Sequence, residues 1–398
     1  MSTLYLHIGM PKTGTSYIQN FLRLNNDTLK QKGYVYPDFG IRFGKIGINR
    51  NGHFLVSVIR DEDRNRLKKE EKRIENECFD KLFDLLDEYP NAILSEESIW
   101  NSGERTRGKD FWTNLRNRLN AHDVEIKVIV YLRRQDLFIQ SFWAQHVKET
   151  GLSETIQEYL SGKRFKRLKL DYYDRLNTIS DVIGKENMLV RVYEKNQYIG
   201  PEKTIISDFL TTVGLEYTDE YVQPPRLSNT SLTGIYLETK RELNKIEGLV
   251  ERKGYIQDLI KKVVVLNDDV RPISSNEFMT GEEAVALLKR YEESNSNVAR
   301  EYLGREDGKL FFEEQKITND SLPEYTTSDY MNVIAQMIAL QNTKSNETAE
   351  LIRDLKAEVK ELKEENKKLQ STVDWVTTSF PKKVTRKLKR ILGIKRNA

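Results

Sequence analysis

The chain has few of the residues that characterise secreted and metal-binding proteins. Its 398 residues include one cysteine, Cys78, and four histidines. A single cysteine excludes an intrachain disulfide and a cysteine-rich zinc site, and it favours a reducing compartment. The histidines are scattered along the sequence without close pairing, so we expect no metal site.

Long apolar runs are missing as well. No stretch approaches the roughly 18 consecutive apolar residues that a membrane-spanning helix requires. Residues 1–8 have neither the basic region nor the long apolar region of a secretory signal. We therefore expect a cytoplasmic protein without a transmembrane helix.

Charged residues are abundant, and their distribution along the chain is uneven. They make up 31% of the sequence, while aromatic residues make up 10%, which is typical of a solvated but folded protein. The last 20 residues contain eight of the 64 basic residues and no acidic one. Because 56 basic residues then face 61 acidic ones, the body has a net charge of −5 and the tail one of +8.

Residues 379–398 have the pattern of a basic amphipathic tail. After Pro381, apolar residues recur at Val384, Leu388, Ile391 and Leu392, and basic residues fill the other positions. This pattern predicts a helix lying in the anionic inner surface of the cell membrane. The alternatives are disorder or charge-driven binding of nucleic acid or an acidic glycan. Cosedimentation with anionic liposomes that survives truncation after Val376 would contradict the membrane prediction.

Strand-favouring segments alternate with helical patterns in the first half of the chain. This alternation is typical of an α/β protein whose mostly parallel sheet is covered by helices on both faces. From 231 to 314 the pattern is mainly helical, and we assign 1–324 to one catalytic domain. The expected strands are 3–8, 92–94, 126–132 and 187–193, and the clearest helical segments are 15–24, 78–89, 137–148 and 205–213.

Residues 328–378 show heptads. Leucine recurs at d positions and Asn366 occupies an a position, a combination that favours a parallel two-stranded coiled coil and hence a homodimer. The alternative is a single long solvated helix. The apolar seam consists of Ile352, Leu355, Val359, Leu362, Leu369, Val373 and Val376.

A glycine loop joins the first expected strand to the first expected helix. Such a loop at a helix N-terminus presents backbone N–H groups and a positive dipole end to an anion. Gly9 and Gly14 have the spacing of a nucleotide-triphosphate P-loop, but Thr15 occupies the lysine position and Lys12 lies inside the loop. This displacement favours a donor shorter than a nucleoside triphosphate. The alternative is an ordinary glycine turn with a surface lysine.

A second anion-binding element follows the strand at 126–132. Arg133 comes at the carboxyl end of that strand, and Ser141 lies eight residues later in the next helix. Ligands bind at this edge of α/β sheets, and an arginine with a hydroxyl suits a phosphomonoester. Arg133 as a simple surface charge is the alternative.

Together the two elements resemble PAPS-dependent sulfotransferases, whose donor is 3′-phosphoadenosine 5′-phosphosulfate (PAPS). Segment 11–16 looks like the family's 5′-phosphosulfate loop, and Arg133 with Ser141 looks like its 3′-phosphate site. The family usually has Asn-Pro after this arginine, where this chain has Arg134 and Gln135. The resemblance implies a P-loop-like sulfotransferase fold and a donor site formed by Lys12, Thr13, Gly14, Thr15, Ser16, Arg133 and Ser141.

Later segments extend the resemblance to bacterial carbohydrate sulfotransferases, notably 170–173, 186–194 and 208–210. Loop 226–231 looks like the loop that closes over the 3′-phosphate, and its alternative is an N-cap for the following helix. The resemblance implies a carbohydrate acceptor, such as a bacterial surface polysaccharide or its precursor.

Sulfuryl transfer to a hydroxyl needs a base near the attacking oxygen and positive charge near the leaving phosphate, and lysine can supply that charge without a metal. Glu96 corresponds by position to a strand-end glutamate that acts as the base in several glycan sulfotransferases, and Glu97 is expected to point the opposite way. The alternative is that either carboxylate caps the next helix. His53 is the rival base, because its ordinary pKa suits proton transfer at neutral pH.

The sequence therefore predicts a metal-independent sulfotransferase that uses PAPS and has no nucleic-acid partner. Two other classes remain as alternatives. A P-loop nucleotide-dependent kinase is disfavoured by Thr15 in the lysine position. A non-catalytic, membrane-recruited coiled-coil scaffold is disfavoured because Lys12, Glu96 and Arg133 are all present.

Overall fold

The computed structural model describes residues 2–44, 46–225, 232–267, 278–313 and 322–391. The chain divides into two units, Met1–Thr326 and Thr327–Ala398. In the described residues, no helix is both long enough and apolar enough to cross a bilayer.

A parallel sheet lies at the centre of the first unit. Its strand order is β2-β3-β1-β4-β5, and every neighbouring pair is parallel. All four expected strands are present, which confirms the expected α/β class with a parallel sheet. The sequence prediction missed β2, which has only two residues. The strands are β1 (Ser2–His7), β2 (Tyr34–Val35), β3 (Asn91–Ser95), β4 (Val124–Leu132) and β5 (Met188–Val192).

Helices follow the strands along the described part of this unit. The first nine are α1 (Thr15–Leu24), α2 (Asn26–Gln31), α3 (Lys68–Glu88), α4 (Ile99–Arg107), α5 (Phe111–Asn120), α6 (Gln135–Glu149), α7 (Ile156–Ser161), α8 (Tyr172–Ile183) and α9 (Ile205–Thr212). The mainly helical part expected at 231–314 contains α10 (Gly234–Leu243), α11 (Lys253–Leu266), α12 (Gly281–Lys289) and α13 (Glu292–Leu303). Short 3-10 helices occur at His53–Leu55, Phe165–Arg167, Lys185–Asn187, Lys195–Gln197 and Glu247–Arg252.

Both faces of the sheet are buried. Successive strand residues point to opposite faces, so Tyr5, Ile93, Ile129 and Tyr131 share one face with apolar residues of α1 and α9. Helices α5 and α8 pack on each other and contact β4 and β5, respectively. The near-continuous apolar sequence of β4 reflects this double coverage.

The second unit contains one long helix, α14 (Thr327–Ile391), of 65 residues. The sequence prediction of a separate tail helix starting near Pro381 is wrong within the described residues, because α14 continues through Pro381. Residues 392–398 lie outside the described residues. Five seam residues are about half exposed, at 49–57%: Leu355, Val359, Leu362, Leu369 and Val373. The coiled coil stays a prediction.

Candidate active site

Four chain segments meet at the carboxyl edge of the sheet. Because β1, β3, β4 and β5 are parallel, the residues that follow them lie at the same edge. These residues are the loop 8–14 after β1, Glu96 and Glu97 after β3, Arg133 after β4, and Tyr193 after β5. In α/β sheets this edge is the usual ligand-binding position.

The loop after β1 has the geometry of an anion cradle. Gly14 adopts a left-handed conformation with φ of 76°, and α1 begins at the next residue, Thr15. A β-carbon at Gly14 would lie 2.8 Å from Ile205 Cδ1, and the positive φ would strain any residue with a side chain there. Thr13 is buried, and its hydroxyl donates to the carbonyl of Met10 at 2.6 Å. The loop is thus fixed at the N-terminus of α1, where Thr15 is buried and Ser16 is exposed.

Lys12 lies in a cationic and partly desolvated part of this loop. Burial lowers the pKa of its ammonium, and the charge of Arg133 lowers it further, whereas Glu149 and Glu97 act in the opposite direction. A second lysine, Lys148, lies near enough for the charge of Lys12 to add to the effect of burial, and together they lower the pKa of Lys148 to about 8. Positive charge is therefore concentrated at the loop.

Arg133, rather than Arg134, contacts the loop. Arg133 Nη1 donates to the carbonyl of Lys12 at 2.8 Å, and the guanidinium lies 5.6 Å from the ring centroid of Tyr193. Arg134 instead pairs with Asp136 at 2.8 Å at the start of α6. The structure thus brings together Lys12 and Arg133, the two expected anion-binding residues. Ser141 is buried in the second turn of α6.

Glu96 is placed differently from the sequence expectation. Its side chain has no exposed surface, and it accepts hydrogen bonds from Arg50 Nε at 3.1 Å and from the Ser98 backbone N–H at 2.9 Å. Burial alone would raise the pKa of Glu96, but the hydrogen bond from His53 and the charge of Arg50 outweigh it and lower that pKa to about 2. A buried carboxylate with so low a pKa is poorly suited to accept a proton, and the expected role of Glu96 as base stays a prediction.

His53 belongs to the same buried cluster. Its Nδ1 lies 2.9 Å from Glu96 Oε2, and its ring packs edge-on against Phe43 with centroids 5.0 Å apart. This arrangement gives His53 a role in holding Glu96. His53 and Glu96, the two alternative bases predicted from the sequence, therefore contact each other.

Glu97 is the carboxylate that lies beside the loop. A β-carbon at Gly9 would lie 3.0 Å from the Glu97 Cα, which shows how closely the segments after β1 and β3 approach. Gln19 Nε2 donates to Glu97 Oε2 at 2.9 Å, and Arg50 Nη1 lies 3.5 Å from Glu97 Oε1. Glu97 also lines the cavity next to the loop.

That cavity has a volume of about 460 Å³. It lies between the loop, the segment after β3 and helix α6, and it opens toward the 3-10 helix at Phe165–Arg167. Its lining residues are Pro11, Arg50, Glu97, Ser98, Asn101, Ser102, Arg105, Phe142, Gln145, His146, Thr150, Tyr159, Arg164, Arg167 and Leu168. A cavity of this size beside an anion-binding loop can hold an acceptor molecule.

Sequence reasoning missed several residues of the site. Arg50, which ties Glu96 to Glu97, lies in a segment without periodic signal and 46 residues before Glu96. Lys148 follows Ser141 by two helical turns, a spacing that could have placed it on the same side of α6. Loop 226–231, expected to close over the 3′-phosphate, lies outside the described residues.

Within the described part of the chain, no three histidine, cysteine, aspartate or glutamate side chains are grouped so that they could hold an ion. The cationic groups at the loop are Lys12, Lys148 and Arg133.

Comparisons with known proteins give distant similarities. No protein-family profile matches the chain. An uncharacterized protein of Archaeoglobus fulgidus is 30% identical over 193 residues, so the match spans 48% of this chain and about half, 49%, of that relative. A sulfotransferase crystal structure from Alicyclobacillus acidocaldarius matches with a TM-score of 0.33 and 15% identity, over 62% of this chain and 95% of that one. The function proposed below therefore depends on the contacts of this chain's own residues.

Proposed function

We propose that the protein is a sulfotransferase that transfers a sulfuryl group from PAPS to a hydroxyl of a carbohydrate. One observation carries the proposal: Arg133 donates to the carbonyl of Lys12, which joins two cationic residues at the N-terminus of α1 beside a cavity that Glu97 lines. The Walker lysine position is Thr15, so the site fits a donor with a short anionic group better than it fits a nucleoside triphosphate.

The donor site is formed by the loop and by the residues after β4. The backbone of residues 12–16 and the Lys12 ammonium surround the phosphosulfate, and Arg133 with Ser141 holds the 3′-phosphate. The fit rests on charge, because Lys12 and Arg133 lie together at the N-terminus of α1. Lys12 stabilises the negative charge that develops on the bridging oxygen as the sulfur–oxygen bond breaks.

We assign the base role to Glu97. The acceptor hydroxyl oxygen forms a bond to sulfur, the bond from sulfur to the phosphate oxygen breaks, and the hydroxyl proton moves to Glu97. Glu97 borders the cavity and lies close enough to Lys12 for its charge to raise the lysine's pKa against the effect of burial. Glu96 and His53 act as positioning residues. Arg50 contacts the carboxylates of Glu96 and Glu97, and the contact of His53 with Glu96 helps to fix the orientation of Arg50.

The proposal is tested by measuring sulfate transfer from radiolabelled PAPS to a panel of oligosaccharides. We expect Glu97→Gln to lower kcat by about 10²- to 10⁴-fold, the usual contribution of a general base. The matched control is Glu149→Gln, which removes an exposed carboxylate that also influences Lys12. Full activity of Glu97→Gln would refute the assignment of Glu97 as the base. If no oligosaccharide of the panel accepts sulfate, the proposed sulfotransferase activity is refuted.

The partners expected from the sequence stand as proposals in the same sense. We propose a parallel homodimer through α14, and the half-exposed apolar seam supports it. We also propose that the basic C-terminal residues attach reversibly to an anionic membrane, and their charge of +8 supports this. Together they would place the active site close to a membrane-borne carbohydrate precursor.

A further inference from the structure

The cavity beside the loop carries a concentrated positive charge. Its lining includes four arginines, Arg50, Arg105, Arg164 and Arg167, and one carboxylate, Glu97. These residues give the lining a formal charge of +3, whereas the chain without its tail has a net charge of −5. The charge of the cavity is therefore opposite to that of the body around it.

Most of this charge is not compensated by the protein. Arg50 is engaged by Glu96 and Glu97. In the described parts of the chain, Arg105, Arg164 and Arg167 have no carboxylate within ion-pair distance, and Arg105 donates to Ser102 Oγ at 2.6 Å. All three are exposed, so water solvates them in the free protein and their guanidinium groups are available to an anionic ligand.

Polar groups in the same wall also lack partners. The hydroxyl of Tyr159 and Nδ1 of His146 are buried and make no hydrogen bond to any described residue. The two rings are neighbours, with centroids 6.0 Å apart, and both line the cavity. Both atoms have almost no accessible surface, so they lie beneath the cavity wall, where an ordered water can satisfy them.

Arg164 faces this wall. Burial lowers the pKa of His146, and the charge of Arg164 lowers it further, which requires the guanidinium to be near the imidazole. At neutral pH His146 is therefore uncharged and can both donate and accept a hydrogen bond. Phe142 and Leu168 supply apolar surface in the same cavity, as sugar-binding sites commonly require for C–H faces.

We propose that the acceptor is an acidic saccharide, whose carboxylate or phosphate group is bound by Arg105, Arg164 and Arg167 while a neighbouring hydroxyl is presented to Glu97. This inference rests on the proposed function, because it names the acceptor class of the same site. A neutral saccharide would make no charge-assisted hydrogen bonds with these three arginines.

Binding of defined saccharides tests the inference without requiring turnover. Isothermal titration calorimetry at fixed low salt compares oligogalacturonides with their carboxyl-reduced counterparts, and a phosphorylated oligomannose with its dephosphorylated form. We expect at least one acidic form to bind about tenfold or more tightly than its neutral counterpart, as charge-assisted hydrogen bonds imply. The arm that discriminates identifies carboxylate or phosphate as the recognised group.

Two double variants locate the effect in the cavity. Arg164→Gln with Arg167→Gln should weaken acidic-saccharide binding by about tenfold or more. Lys163→Gln with Lys166→Gln removes the same charge from neighbours that are also exposed but do not line the cavity, and it should leave affinity within about twofold. Equal losses in the two variants would show nonspecific attraction and overturn the inference.

A titration with the donor product separates failure of the acidic acceptor from failure of the proposed function. PAP, the desulfated donor product, is titrated into the same samples. Failure of PAP to bind, with acidic and neutral saccharides still discriminated, would refute the proposed function and leave the acidic site. Binding of PAP with no discrimination in either saccharide pair, or with no saccharide bound, would overturn the acidic acceptor and leave the sulfotransferase.

Discussion

Adjacent residues at the end of β3 have different environments because the chain turns there. Ser95 is the last strand residue and its hydroxyl contacts His7, Glu96 lies in the buried cluster with Arg50 and His53, and Glu97 lines the cavity. Residues 97 and 98 form the turn that leads into α4, and this change of backbone direction separates the two carboxylates. A charge that is buried and paired holds the geometry, and the neighbouring charge at the cavity is available for chemistry.

Lys12 should affect rate more than donor affinity. Because its ammonium stabilises charge that develops only in the transition state, Lys12→Ala should lower kcat by about 10²- to 10³-fold and leave PAP affinity nearly unchanged. Arg133→Ala should mainly weaken PAP and PAPS binding, because the 3′-phosphate keeps its charge throughout the reaction. Steady-state kinetics and calorimetry separate the two effects, and loss of affinity without loss of rate in Lys12→Ala would contradict the assignment.

His7 should make stability depend on pH. Burial lowers the pKa of this histidine from 6.5 to about 3, so below pH 6.5 the unfolded chain binds a proton that the folded protein excludes. The contribution of His7 is complete above pH 6.5 and is lost as the pH falls toward 3, at up to about 1.4 kcal/mol per pH unit. His146, whose pKa burial also lowers, acts in the same direction.

Urea unfolding between pH 6.5 and 4.5 separates the histidine contributions from that of Glu96, which is lost only at lower pH, and a His7 variant separates His7 from His146. The pKa of Glu96 is lowered from 4.5 to about 2, so its stabilisation is complete above pH 4.5. We expect His7→Gln to reduce the pH slope of the unfolding free energy in this window. An unchanged slope would mean that His7 is not excluded from protonation in the folded state.

At this scale the sequence identifies residues that have a local spacing. Lys12 and Arg133 were found because a loop and a strand end carry recognisable intervals, and the structure brings them into contact. The Arg50–Glu96 pair joins residues 46 positions apart, and no periodicity or motif marks it. Without that pair, nothing in the sequence distinguishes a structural Glu96 from a cavity-lining Glu97.

At the scale of elements, long periodic segments were predictable and short ones were not. Strand β4 has nine residues and a continuous apolar pattern, whereas β2 has two and no pattern to detect. Pro381 was expected to start a new helix because proline removes a backbone donor. In α14 the helix continues through this position, so propensity at one residue did not set the boundary.

Helix α14 should mediate dimerisation. Leu355 and Leu362 are 49% and 52% exposed, and replacing both with lysine would put charge into the proposed seam. We expect a dimer for the wild type and a monomer for the double variant by light scattering at micromolar concentration. Activity per active site should be retained.

A matched control keeps the charge and changes its position. Ala357→Lys with Ser371→Lys adds the same two positive charges at f positions, outside the seam, and should remain dimeric. A monomeric wild type, or a monomeric control, would contradict the coiled coil.

At the scale of the whole molecule, positive and negative charges are concentrated in different parts of the chain. A body with a net charge of −5 surrounds a cationic loop and a cationic cavity, and the tail adds a charge of +8. Local positive potential in a negative body favours entry of anionic ligands at the active site over nonspecific binding elsewhere. The net charge of the whole chain, +3, does not show this separation of positive and negative regions.

The central claim, an anionic donor with a 3′-phosphate and no metal requirement, is tested most directly by a thermal-shift comparison of PAP, ATP with Mg²⁺ and GTP with Mg²⁺. A ligand at 100 times its Kd stabilises the folded state by about 2.7 kcal/mol. We predict that PAP raises the melting temperature in the presence of a chelator and that Arg133→Ala diminishes this shift. Stabilisation by ATP with Mg²⁺ alone, and none by PAP, would contradict the account.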